Sequence, residues 1–175
     1  MEEIDTLRSI LPSFYNERLD EVERAFIEQS ASANGLADFI TTSYPTPSGT
    51  EESVMSTGSK PLRLLKFWFA GCYPCLWQQP HEAELLANYP EVDLVYVAHS
   101  TEKSAWQEYL DEHQPPTDLQ LYVPQKERAV IKASAGTTGA PTYVMVDDQG
   151  EIVCRPCPKP SDSLLSEMIV GALER

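Results

Sequence analysis

Lys66-Phe67-Trp68-Phe69-Ala70-Gly71-Cys72-Tyr73-Pro74-Cys75 carries an apolar, aromatic run straight into Gly-Cys and a C-x-x-C. A buried strand that ends this way delivers Cys72 to the first turn of a helix. Unpaired backbone N–H groups and the positive end of the helix dipole stabilise a thiolate there. Two intervening residues let Cys75 bring its sulfur back to Cys72. The stretch therefore reads as a reversible disulfide on a strand–helix junction, with Cys72 as the more exposed attacking thiol and Cys75 as the resolving one.

Outward from this junction the elements alternate. Leu62 to Phe69 reads as a central strand, apolar on both faces as a sheet covered by helices requires. The run after Cys75 to Tyr89 reads as a helix with Leu76, Leu85 and Leu86 on its apolar side, bent at Pro80, which has no N–H to donate. Val92–Ala98 reads as a strand, Ser104–Glu112 as a helix, Leu119–Val123 as a strand, and a further helix ends near Ala135. Thr142–Val146 and Glu151–Cys154 flank the turn Asp147-Asp148-Gln149-Gly150 as a hairpin. Ser161 to Leu173 closes as a helix, with Ser161 its N-cap and Leu164, Leu165, Met168 and Ile169 its buried face. This β-α-β-α-β-α-β-β-α order predicts an α/β fold with helices on both faces of a mixed sheet.

Upstream, residues 3–34 follow helical spacing until Asn34-Gly35 supplies a stop, and residues 41–60 have loop chemistry with an edge strand over Glu51–Met55. The expected organisation is an N-terminal helical extension over 1–40 and one domain over 41–175.

The 175 residues and 42% hydrophobic content suit one domain with a proper core. A net charge of −14 offers no basic stripe for nucleic acid or anionic lipid. Arg63 and Lys66 break the longest apolar run, so no segment is expected to span a membrane, and Met1-Glu2-Glu3 is acidic where a signal peptide would be basic. The four cysteines form two C-x-x-C units, Cys72/Cys75 and Cys154/Cys157. Two such units could bind one zinc ion, a reading opposed by the expected burial of Cys75 under a helix turn. His81, His99 and His113 lack ligand spacing with them, so no metal is expected.

Several motifs in fixed order extend the pattern. They are F-W-x-x-x-C-x-P-C over Phe67–Cys75, Pro80 five residues on, Gly139-Ala140-Pro141-Thr142 before the hairpin, Asp147–Val153, and Pro158-Lys159-Pro160-Ser161 before the last helix. In these the chain resembles the TlpA/ResA-like thiol-disulfide oxidoreductases of the thioredoxin superfamily, over about residues 40–175. The resemblance implies a thioredoxin fold with the strand–helix insertion of that group. It implies a cis Ala140-Pro141 peptide facing Cys72, and a substrate rim of Tyr73, Pro74, Ala140 and Pro141. It also implies protein thiol or disulfide substrates, an upstream dithiol electron donor, no cofactor beyond the reversible disulfide, and an extracytoplasmic setting, either periplasmic or membrane-anchored facing the periplasm.

Two positions depart from that family. The buried acid often found six residues before the first cysteine is replaced by Lys66, and a glutamate three residues after the second is replaced by Gln78. Both usual carboxylates are thus missing. Lys66 shares a strand face with Leu64 and Trp68. It either lies under the helix, where burial lowers its pKa, or snorkels to solvent.

Cys154-Arg155-Pro156-Cys157 is the unexpected feature. If Val146 pairs with Glu151, Cys157 falls opposite Ala140, at the active-site rim. A direct Cys154–Cys157 bond is disfavoured by extended backbone, which separates residues three apart by ~10 Å, beyond the roughly 7 Å limit for a disulfide. The choice is then between a thiol relay to Cys72 and cysteines without redox duty. The expected activity is dithiol–disulfide exchange, with reduction favoured over oxidation. The opposing class is a thioredoxin-fold module that binds a partner strand without turnover.

Overall fold

The computed structural model describes residues 35–136 and 139–175. The helical reading of 3–34 lies outside the described residues. A five-stranded mixed sheet organises the described chain. A small antiparallel pair, β1 (Tyr44–Pro45) and β2 (Glu51–Glu52), precedes it. Then follow β3 (Leu62–Trp68), α1 (Tyr73–Asn88), β4 (Val92–Ala98), α2 (Lys103–His113), β5 (Gln120–Tyr122), α3 (Arg128–Ala135), β6 (Thr142–Asp147), β7 (Ile152–Cys157) and α4 (Ser163–Leu173). The strand order is β5-β4-β3-β6-β7, with β3, β4 and β5 parallel and β6 and β7 antiparallel to their neighbours. This is the expected mixed sheet with helices on both faces.

Every residue of β3 is buried, because alternate side chains enter two different cores. Leu62, Leu64 and Trp68 join Leu94, Trp106, Leu165 and Ile169 on one face. Leu65 and Phe67 join Val95, Val97, Ile131 and Val144 on the other. Leu36, Phe39 and Ile40 belong to this second core. Residues 35–41 are helical, and the expected helix stop at Asn34-Gly35 falls at the edge of the described residues. Burial of three large apolar side chains outweighs the modest cost of one helical glycine.

At the last helix, Asp162 and not Ser161 is the N-cap, its carboxylate accepting the Leu164 N–H at 3.0 Å. Ser161 is engaged elsewhere (below). Leu164 is exposed, and Leu165 and Ile169 are the buried residues. Among the described residues no helix is long and apolar enough to cross a membrane.

Candidate active site

The junction between β3 and α1 is a tight turn. The Cys72 N–H donates to the Phe69 carbonyl at 3.2 Å, and Gly71 has φ +84° at the third turn position. A β-turn with positive φ there calls for glycine. Thr101, just after β4, steadies the turn by accepting the Ala70 N–H at 2.8 Å. Cys72 is the extended N-cap of α1, and its carbonyl accepts from Cys75 and Leu76. Pro74 lies in the first turn, where its missing N–H costs nothing. No acidic residue lies in that turn, so the positive end of the helix dipole at Cys72 is unopposed there.

Cys72 and Cys75 are disulfide-bonded with Cα atoms 5.2 Å apart. Cys72 is 3% exposed and Cys75 fully buried, so Cys72 is the more exposed of the two, as expected, and lies at the edge of the core. The side chains that do face solvent are aromatic: Tyr73 is 81% exposed and Trp77 65%, the latter edge-on to His81. The Ala140–Pro141 peptide is cis and leads directly into β6. Ala140 packs against the same apolar cluster that contains all four cysteines.

Lys66 does not snorkel. It is fully buried, and its Nζ donates to the Cys75 carbonyl at 3.0 Å and to the Tyr96 hydroxyl at 2.9 Å, with Glu82 Oε1 at 2.7 Å. Glu82 is equally buried and also accepts from the hydroxyls of Tyr96 and Tyr143. Tyr96 and Tyr143 flank Lys66 in register on β4 and β6, so three adjacent strands present one polar row to Glu82 of α1. Burial lowers the Lys66 pKa, and the Glu82 carboxylate opposes that shift. Burial first and Glu82 second raise both tyrosines far above the usual phenol range.

Both usual carboxylate positions are indeed occupied by Lys66 and Gln78, yet the site has a carboxylate from another position. Glu82 supplies one from the helix, and sequence reasoning missed it. The available signal was spacing: Cys75, Gln78, Glu82 and Leu85 form the buried stripe of α1 at helical intervals, so its sheet-facing side is polar in the middle. Gln78 Nε2 donates to Ser161 Oγ at 3.1 Å and its Oε1 accepts the Ser161 N–H at 3.3 Å, tying α1 to the loop before α4.

The second cysteine pair departs furthest from expectation. Cys154 and Cys157 are disulfide-bonded, with Cα atoms 5.0 Å apart. The Arg155–Pro156 peptide is cis. The stretch is not a regular extended strand, because it is bulged. The Asp147 carboxylate accepts the N–H groups of Gln149 and Glu151, which places Val146 opposite Ile152 and not Glu151. Further register shifts set Met145 against Cys154 and Tyr143 against Cys157, so Cys157 does not face Ala140. In this disulfide form neither pair offers the thiolates that a four-cysteine zinc site needs.

No protein-family model matches the chain, and no curated protein matches it in sequence. Solved structures do match. The thioredoxin domain of a thiol-disulfide oxidoreductase from Bacteroides vulgatus is 19% identical, with TM-score 0.62 over 74% of this chain and 91% of that one. A secreted Mycobacterium tuberculosis disulfide oxidoreductase, homologous to Escherichia coli DsbE, is 17% identical, with TM-score 0.58 over 76% of this chain and 98% of that one. A thioredoxin-like protein from Aeropyrum pernix is 12% identical, with TM-score 0.61 over 89% of this chain and 99% of that one. What these identities share with the chain is its architecture: the described residues adopt the thioredoxin fold, with a Cys72–Cys75 disulfide at the start of α1.

Proposed function

We propose that the chain catalyses dithiol–disulfide exchange with protein substrates through Cys72 and Cys75. One observation carries this reading: a disulfide-bonded C-x-x-C whose first cysteine caps a helix at the end of a central strand. In the reducing direction the Cys72 thiolate attacks a substrate disulfide and one substrate thiolate leaves. Cys75, as thiolate, then attacks the Cys72 sulfur and releases the second. The substrate gains two electrons and two protons, and the Cys72–Cys75 disulfide is formed. An upstream dithiol donor restores the thiols, so the chemistry calls for no further cofactor.

Tyr73, Trp77 and the cis Ala140–Pro141 segment support a rim that receives an extended substrate strand, since proline leaves the neighbouring backbone free to pair. The reducing direction rests on the Tyr73-Pro74 dipeptide and on the resemblance to TlpA/ResA-like proteins, as does a periplasmic setting. Insulin precipitation in dithiothreitol tests the reading. Acceleration by the wild type and none by Cys72→Ser is the expected result. A wild type that accelerates nothing would leave a strand-binding module.

A further inference from the structure

We propose that Cys154–Cys157 is a second redox-active disulfide, an exchange site for the dithiol of a partner protein. A stapling disulfide normally joins separate elements, whereas this one joins two residues of β7 to each other. The loop it closes is four residues long. Disulfide stabilisation through the unfolded chain shrinks with loop length, so this bond contributes close to the minimum of which a staple is capable.

The bond sits where the pairing of the sheet is irregular. Between the pairs Tyr143↔Cys157 and Met145↔Cys154, β7 takes three steps while β6 takes two, leaving an extra residue unmatched in the ladder. Pro156 lies inside that bulge without an N–H to give. A bond that stabilises weakly, on a stretch of strand already out of regular pairing, is poorly explained by stability.

Its position suits exchange. β7 is the outer strand of the sheet, and Cys154 and Cys157 are each 8% exposed, against 3% for Cys72 and none for Cys75. The Cys154 carbonyl lies 3.1 Å from Cys157 Sγ, a ready acceptor for a Cys157 thiol once the bond opens.

The step balances with a partner dithiol as reductant. A partner thiolate attacks one sulfur of the Cys154–Cys157 bond, forms a mixed disulfide and displaces the other sulfur as thiolate. The partner's second thiolate then attacks its own mixed-disulfide sulfur. The partner leaves oxidised, and Cys154 and Cys157 keep two electrons and two protons. With Cys72 and Cys75 separately reduced by their own dithiol donor, the chain as a whole holds four electrons in two pairs.

The test is native-state reduction of wild type and of Cys72→Ser/Cys75→Ser, with acid quench, alkylation and mass mapping, while circular dichroism reports the fold. Expected are four thiols per wild-type chain and two per variant chain, on Cys154 and Cys157, with the fold retained. Reduced thioredoxin, as a C-x-x-C protein probe, should produce them about tenfold faster than dithiothreitol at equal thiol concentration. Thiols at Cys154 and Cys157 that appear only as the fold is lost would overturn the proposal, and equal rates for the two reductants would overturn the protein partner. Mapping of the wild type reads both pairs even if the variant does not fold. Cys154→Ser/Cys157→Ser reads the Cys72–Cys75 pair alone, so failure of either assignment shows in its own variant.

Discussion

Lys66 Nζ lies 2.7 Å from Glu82 Oε1, and neither side chain reaches solvent. The strand before the C-x-x-C contributes the cation and the helix after it the carboxylate, joined through the carbonyl of Cys75 and the hydroxyls of Tyr96 and Tyr143. A pair this deep is tolerated because every strong donor and acceptor in it is used.

Removal of either charge should therefore destabilise the fold sharply. Lys66→Met or Glu82→Leu alone leaves an uncompensated buried charge, and each should cost about 3–5 kcal/mol. The double variant should lose less than the sum. Urea unfolding checks this; a single variant within about 1 kcal/mol of wild type would show that the pair is not buried as described.

The same pair should act on the Cys75 thiol with opposite signs. The Lys66 ammonium, held at the Cys75 carbonyl, favours a nearby thiolate, while the Glu82 carboxylate opposes it. In reduced protein, Lys66→Met should raise the Cys75 titration and Glu82→Gln should lower it. Alkylation rate against pH, in a Cys72→Ser background, measures both. Shifts of the same sign would remove the pair from the thiol chemistry.

Stability should fall at high pH through the tyrosines. Burial, with Glu127 and Glu82 adding to it respectively, pushes Tyr44 and Tyr109 up to about 12. A folded pKa above the unfolded value means that the native state holds the proton longer. The stability this contributes is fully present below the ordinary phenol pKa of about 10 and is lost as pH rises through about 12. Urea midpoints measured from pH 9 to 12 should decline across that window, less steeply in Tyr109→Phe.

Gly71→Ala should cost about 1–2 kcal/mol and slow disulfide exchange. A Cβ at Gly71 meets nothing within 4 Å, so the penalty is that of its φ of +84° alone. Unchanged stability and rate would mean that the Phe69–Cys72 turn does not set the position of Cys72.

Trp77→Ala should raise KM for a protein substrate several-fold with kcat nearly unchanged, since a 65%-exposed ring has surface to offer a partner and little core to support. Its unfolding midpoint should stay within about 0.5 kcal/mol of wild type.

Much of this architecture is legible residue by residue. Alternating helical and strand periods order β3 to α4, and Phe69-Ala70-Gly71-Cys72 announces its own turn because only glycine accepts that backbone geometry cheaply. Burial of Lys66 was one of two open readings, since its stem could equally have reached solvent. Glu82 was overlooked because an acid in a surface helix normally faces water. Only the polar row of Tyr96, Lys66 and Tyr143 beneath it makes burial favourable.

What the sequence by itself determined is local: the strand-to-helix junction that pairs Cys72 with Cys75, the β-α order, and the hairpin around Asp147. These follow from periodicity and from the narrow conformational tolerance of glycine and proline, which act over a few residues. Tertiary structure decided how distant positions meet: the Lys66–Glu82 pair, the Gln78–Ser161 clamp, and the Cys154–Cys157 bond with the register that holds it opposite Tyr143. One bulge moves every later residue of a strand to a new partner, and one buried carboxylate depends on three strands at once. Neither is encoded within a single stretch of chain.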